Sequence, residues 1–210
     1  KKARYRWEWE KKFNHGMTDD YSSLFGAVNA LALPADNTLY PHQVESVIEA
    51  EEWMTAFALR HVLGDWDGYG YNRGKNQFIY HPNGKKIWML LWDLDFSMGC
   101  SGGHEPTHNL FEVANGSLTG SDHMPEIAKM YNNPHFRRLY LQALQRIADG
   151  PLQDAAYGPM LDARYRGLLA SGVTGLTSPY VASGAQSISI PAWIQQRRAF
   201  VLAQLPGYAN

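Results

Sequence analysis

Five side chains with hard oxygen donors sit close together in this sequence. Asp65 and Asp67 lie in a glycine-rich loop, Asn76 opens an apolar run, and Asp93 and Asp95 close the next one. Carboxylates and an amide gathered this way suit Mg²⁺ or Mn²⁺ better than a soft metal. A divalent ion held by such a set can carry phosphates. The spacing Asp93-Leu94-Asp95 directly after an apolar strand is one form such a site takes. The same pair also serves elsewhere as a simple turn cap.

Pairing geometry brings the two ends together. Asn83-Gly84 between two apolar runs signals a hairpin with a two-residue turn. With that turn, Tyr80 opposes Ile87 and Asn76 opposes Leu91. Side chains alternate faces along a strand, so Asn76, Leu91 and Asp93 share one face, and Asp95 joins them if the strand runs on. The diagonal from Asn76 to Asp93 is then about 7–8 Å, a gap one ion bridges. A slip of one residue turns Asn76 to the other face.

Other motifs fit less well. Asp65, Asp67 and Gly70 follow the start of a calcium loop, but Tyr69 and Asn76 fall where ligands are required, and the last should be a bidentate Glu. Gly70, Gly74 and Lys75 suggest a phosphate loop, but the glycines are one residue too close and Asn76 stands where Ser or Thr binds the metal. His104 and His108 have i, i+4 spacing with Pro106 between them, which argues against a helical zinc pair and for loop histidines. Cys100 has no activating base near it in sequence and reads as a spectator thiol.

The elements that must position the acidic loop are mostly helical. Leu24, Phe25, Val28 and Leu31 have helical spacing, with Asp19 or Asp20 as cap. One long helix is predicted from about Pro41 to Leu63, burying Val44, Val47, Ile48, Met54, Phe57, Ala58 and Val62, and Gly64 ends it. The segment Phe96–Gly120 reads as a long loop with a short helical piece near Leu110–Val113. Asn133 caps a helix that has Pro134 in its first turn and buries Phe136, Leu139, Tyr140, Ala143, Leu144 and Ile147 before Gly150 stops it. A further helix spans Leu152–Leu169 and a loop Gly172–Gly184. The last helix begins near Pro191 and buries Trp193, Ile194, Val201 and Leu205. The fold class is therefore α+β, mostly α, one domain over residues 1–210 with a loosely ordered lead-in over 1–20, and one hairpin carrying the polar site.

Composition sets outer limits. Hydrophobic residues make up 45% of the chain, ample for a core; the chain has seven Trp and twelve Tyr, and those at helical spacing read as core. A formal net charge of −1 argues against a general nucleic-acid surface. A single cysteine rules out a disulfide framework. No apolar run approaches the length of a membrane span. The charged start at Lys1, without Met, reads as a cut within a larger protein.

The acidic loop, the hairpin and the strand-end Asp pair together resemble the CotH kinase family, the spore-coat-type atypical protein kinases. The family pattern is an Asp-Gly loop after a long helix, then Asn-x-x-x-Tyr, a short turn, and Trp-Asp-x-Asp followed by Gly. Here these are Asp67-Gly68, Asn76 to Tyr80, and Trp92, Asp93 and Asp95 with Gly99. Asn132 to Tyr140 is similar to the family's later helix start, and Trp193 with Arg197 and Arg198 to its closing helix.

The resemblance implies a kinase-like C-lobe that uses ATP and Mg²⁺ or Mn²⁺ to phosphorylate Ser or Thr of a protein substrate, in an extracytoplasmic or cell-envelope setting. It implies that Asp67 is the catalytic aspartate that orients the acceptor hydroxyl. It makes Asn76 and Asp93 metal ligands and Asp95 a supporting or second ligand. The loop between Asp67 and Asn76 is longer than in spore-coat members, so Asn72 competes for the role of Asn76. The family's amino-terminal lobe, which supplies a basic residue for the phosphates, is expected to lie upstream of this chain, and Arg4, Arg6 and Lys11 have no assigned part in it. Two other readings are a non-catalytic adhesin or pseudokinase module, and a nucleotide-sugar transferase that uses Asp93 and Asp95 below a parallel sheet.

Overall fold

A computed structural model of the chain describes residues 9–12, 20–71, 75–113, 125–184 and 186–208. Most of the expected lead-in, Asp19 and Asn72 lie outside these residues. The described chain holds seven α-helices and one two-stranded antiparallel sheet. The helices are α1 (Ser22–Ala32), α2 (Tyr40–Val47), α3 (Ala50–Leu63), α4 (Pro125–Asn132), α5 (Pro134–Asp149), α6 (Asp154–Ala170) and α7 (Ile190–Gln204), and the strands are β1 (Gln77–Tyr80) and β2 (Trp88–Leu91).

The core forms where α3 lies along α5, with α7 and the hairpin packed on its flanks. Met54, Phe57, Ala58 and Val62 of α3 meet Phe136, Tyr140, Ala143, Leu144 and Ile147 of α5, while Trp193, Ile194 and Val201 enter from α7. The helical spacing of these apolar residues is what the sequence predicts, with Leu139 and Leu205 partly rather than fully buried. The expected bonds at Asn133 and Asp20 form: the Asn133 side chain accepts from the amides of His135 and Phe136, and Asp20 Oδ1 accepts from Ser22 N. Helix α7 is capped by Ser189, whose side chain accepts from Ala192 N. In α1 the inward residues are Ala27, Ala30 and Leu31, whereas Val28 is exposed.

The long helix expected over Pro41–Leu63 is instead two helices. Ile48 is extended (φ −115°, ψ 154°) and forms an isolated parallel bridge with Ile87. Ile87 N donates to Val47 O at 2.9 Å, and Ile87 O accepts from Glu49 N at 2.9 Å and from the Trp53 indole at 3.0 Å. Ile48 still faces the core, so its apolar spacing matched a helix. The break gives the hairpin backbone groups to dock on, and Met89 N adds a bond to the Glu52 carboxylate at 2.8 Å.

That docking also changes the register. The turn forms as predicted around Asn83 and Gly84, with Lys85 N donating to Pro82 O at 3.1 Å and Gly84 at φ 65°. Ile87, however, gives both its backbone groups to the helix break, so Lys86 and Ile87 together oppose His81, the count of a β-bulge. The ladder then pairs Tyr80 with Trp88 and Gln77 with Leu91. The expected pairs Tyr80–Ile87 and Asn76–Leu91 are each off by one.

One further expectation changes. Leu110–Val113 forms turns rather than a helical piece, although Leu110, Phe111 and Val113 are buried. Helix α4, ahead of Asn133, buries Ile127, Met130 and Tyr131. Tyr80, Trp88 and Trp92 on the outer hairpin face are exposed.

Candidate active site

The acidic loop is built on a buried arginine. Arg60 sits one turn before the end of α3 and has no exposed surface. Its guanidinium donates to Asp65 Oδ2, to the main-chain oxygen of Asn76 and, at 3.3 Å, to that of Trp92. One side chain thus ties the helix end, the acidic loop and both ends of the hairpin together. Burial pushes the Asp65 carboxyl up and the Arg60 guanidinium down, against their mutual attraction. Arginine keeps its proton in proteins, so the pair is ionic. Asp65 Oδ1 accepts from Asp67 N at 3.2 Å, which shapes the turn that presents Asp67.

Two glycines make room for this arrangement. A Cβ on Gly68 would lie 2.1 Å from the Arg60 guanidinium carbon. Gly64 closes α3 in the left-handed conformation at φ 67°, with the Trp193 ring 2.9 Å from where its Cβ would stand.

Asp67 is 5% exposed. Its Oδ2 accepts from Asn76 Nδ2 at 3.2 Å and faces Lys75 Nζ at 2.8 Å, and its main-chain oxygen accepts from Asn76 Nδ2 at 2.6 Å. The observed register places Asn76 opposite Trp92, and Trp92 N donates to Asn76 O at 3.1 Å. By strand alternation alone, Asn76 and Asp93 therefore do not share a face. Both residues have left the strand conformation, Asn76 at φ 60° and Asp93 at φ 56°. This left-handed kink, which Asn and Asp tolerate better than most residues, turns the Asn76 amide onto Asp67 despite the slip.

Asp93 and Asp95 are exposed. The Asp93 charge acts on Arg60, as does that of Asp67. The structure thus brings Asp67, Lys75 and Asn76 into direct contact, sets Asp93 next to the hairpin end that Arg60 holds, and leaves Asp95 in the turn beyond. The donor set of Asp67, Asn76 and Asp93 is all oxygen on the acceptor side and fits a hard cation. Lys75 was absent from the sequence-based site. Its position one residue before Asn76 was the available signal.

A second cluster lies at the far end of the same loop. Among the described residues, one trio of ionisable ligand groups has all its donor atoms within 4.8 Å of one another: His104, His108 and Glu112. Both histidines lie in loop and turns, as expected, yet the fold brings them together with Glu112. Pro106 does prevent a continuous helix, but successive turns over 106–113 return the side chains to one side. Tyr71 closes the cluster from the acidic loop. Burial and then the Glu112 hydrogen bond push the Tyr71 hydroxyl well up, so the phenol is protonated. Burial and the neighbouring His108 hold His104 down at about 4, a neutral imidazole.

The fold is a mostly helical α+β domain with one hairpin. The family model described as CotH kinase protein matches residues 1–200, and the chain belongs to that family. Membership implies a kinase-like, phosphotransferase function that uses ATP and a divalent metal, and the spore-coat association of the family hints at the cell envelope. No curated protein matches the chain. No described helix is long and apolar enough to cross a membrane.

Proposed function

We propose that this chain carries the catalytic loop and metal-binding residues of an atypical protein kinase. The parent transfers the ATP γ-phosphoryl group to a Ser or Thr hydroxyl of a protein in the presence of Mg²⁺ or Mn²⁺. The observation that carries this reading is the contact of Asn76 with Asp67 across a left-handed kink, with Lys75 on the same carboxylate. Phosphoryl transfer asks the protein for positioning and charge neutralisation rather than covalent chemistry.

Asp67 is the residue that accepts the hydrogen bond of the acceptor hydroxyl and takes its proton. Its two present partners hold the carboxylate in place, and Lys75, 56% exposed at its side chain, supplies a positive charge at the point of transfer. Asn76 and Asp93 would hold the metal, with Asp95 in support. A bound Mg²⁺–ATP or Mn²⁺–ATP supplies the transferable phosphoryl group and offsets its charge. Arg60 keeps the two hairpin ends beside the acidic loop, so that Asp67, Asn76 and Asp93 stay in one region.

The test is label transfer from radioactive ATP to a Ser- and Thr-containing protein by the full-length parent with Mn²⁺. Transfer is expected, with phosphoserine or phosphothreonine in the product, and Asp67→Asn and Asp93→Asn each reduce it strongly. Undiminished transfer by both variants overturns the assignment. A second reading, a binding module on the same fold, draws on the exposed Tyr80, Trp88, Leu90 and Trp92 of the outer hairpin face. The nucleotide-sugar transferase reading needs a parallel sheet ahead of Asp93, where the described residues carry one antiparallel pair.

A further inference from the structure

The cluster at Tyr71 has no part in phosphoryl transfer as described above. Its side chains are of metal-ligand types, and the donor atoms of His104, His108 and Glu112 lie within 4.8 Å of one another. The His104 and His108 rings are stacked, 4° apart, with centroids 3.4 Å from each other. The Tyr71 hydroxyl oxygen lies 3.0 Å from His104 Nε2 and 2.5 Å from His108 Nε2, and it donates to Glu112 Oε2. His108 Nε2 is also 2.7 Å from Glu112 Oε2. Two imidazoles, a carboxylate and a phenol are thus brought together from two separate segments of chain.

A zinc ion with bonds of about 2.0–2.1 Å sets its tetrahedral ligands about 3.3 Å apart. The Tyr71 contacts to His108 and Glu112 are shorter than that spacing, so uptake of an ion has to part the phenol from the carboxylate and turn the stacked imidazoles toward the ion. Two imidazoles with a carboxylate favour zinc over the hard Mg²⁺ suited to the hairpin base. With Nε2 turned inward, His108 Nδ1 points toward the Glu105 carboxylate, 3.7 Å away and beyond hydrogen-bond length. Arg197 is the opposing charge nearby. Its guanidinium is committed to the main-chain oxygens of His61, Val62, Pro106 and His108, which fixes the backbone that carries the cluster. The Glu112 carboxylate offsets that charge.

We propose that His104, His108 and Glu112 form a structural zinc site, with the Tyr71 oxygen at its fourth side. The site would clip the 104–112 turns to the end of the acidic loop. Tyr71 N donates to Gly68 O at 3.1 Å, and Tyr131 donates to Gly70 O at 2.9 Å, so a clip at Tyr71 braces the loop that presents Asp67. The site is independent of the kinase reading, and its test involves no phosphoryl transfer.

The full chain is stripped with chelator, then titrated with Zn²⁺ and, separately, Co²⁺. About one Zn²⁺ per chain is expected, with a rise in melting temperature on binding, and Co²⁺ gives the strong visible bands of a four-coordinate site that Zn²⁺ displaces. His108→Gln and Glu112→Gln weaken binding at least about tenfold, while His81→Gln in the exposed hairpin turn binds as the wild type does. Equal binding by the ligand variants overturns the site. Should those variants fail to fold, the wild-type Co²⁺ spectrum decides, and a pale six-coordinate spectrum or no uptake overturns it.

Discussion

The Asn76 side-chain amide donates to two oxygens of Asp67, 2.6 Å to the main chain and 3.2 Å to carboxylate Oδ2, across nine residues of chain. It does so from a backbone at φ 60°. Asn76 therefore has two separable duties, to accept the left-handed conformation and to fix Asp67. A left-handed conformation costs a residue with a Cβ about 1–2 kcal/mol, and Gly escapes that cost.

Substitution at Asn76 should separate the two. Asn76→Gly loses the amide bonds but keeps the kink, whereas Asn76→Ala loses both. Urea denaturation is expected to place Ala below Gly in stability by about 1 kcal/mol. Equal stability of the two variants would mean that the kink is not under strain.

The Arg60–Asp65 pair makes a larger prediction. Both side chains are fully buried, and removing one partner of a buried pair costs about 3–5 kcal/mol because the other is left charged without a partner. Asp65→Ala is expected to fall in that range in chemical denaturation. The double variant Arg60→Met, Asp65→Leu recovers a good part of the loss, since it leaves no orphaned charge. A double variant as unstable as Asp65→Ala would show that the main-chain bonds of Arg60 to Asn76 and Trp92, rather than the ion pair, carry the stability.

Gly68 and Gly84 test space against conformation. Alanine at Gly68 meets the immobilised Arg60 guanidinium, while alanine at Gly84 meets nothing within 4 Å and only has to accept φ 65°. Gly84→Ala should cost about 1–2 kcal/mol. Gly68→Ala should cost more, beyond the usual 1–3 kcal/mol of an overpacked site, because three bonds hold the group it strikes. Melting curves of the two variants check the order.

What the sequence makes legible follows from the range of the interaction. Helices α5 and α7 are local patterns, and Asn133, Pro134, Pro191 and the apolar spacing of Phe136 to Ile147 announce them. The turn at Asn83–Gly84 is local too, and it forms. The register is not local, because it depends on Ile87 leaving the ladder to bond Val47 and Glu49, forty residues earlier. The break at Ile48 has the same cause, and no Gly or Pro marks it. Arg60 as the anchor of the acidic loop, and Tyr71 as the fourth side of the histidine cluster, come only from tertiary packing. The candidate residues Asp67, Asn76 and Asp93 were chosen by type and spacing, and two of them meet, but through a kink rather than through the strand face that the spacing suggested.

The final prediction separates the roles of Asp67 and Asp93 in the proposed reaction. A residue whose partner is the acceptor hydroxyl contributes in the transition state more than in ATP binding, so Asp67→Asn should lower kcat by about 10²–10⁴-fold with little change in KM for ATP. Asp93, as a metal ligand, acts on the nucleotide complex itself, so Asp93→Asn should lower kcat and also raise the Mn²⁺ concentration needed for half-maximal rate. Circular dichroism of both variants is expected to match the wild type, since Asp93 is exposed and Asp67→Asn keeps an oxygen for the Asn76 amide. If Asp67→Asn instead shifts the Mn²⁺ requirement and Asp93→Asn does not, the two assignments are interchanged. If neither variant alters turnover, the hairpin base does not carry the chemistry.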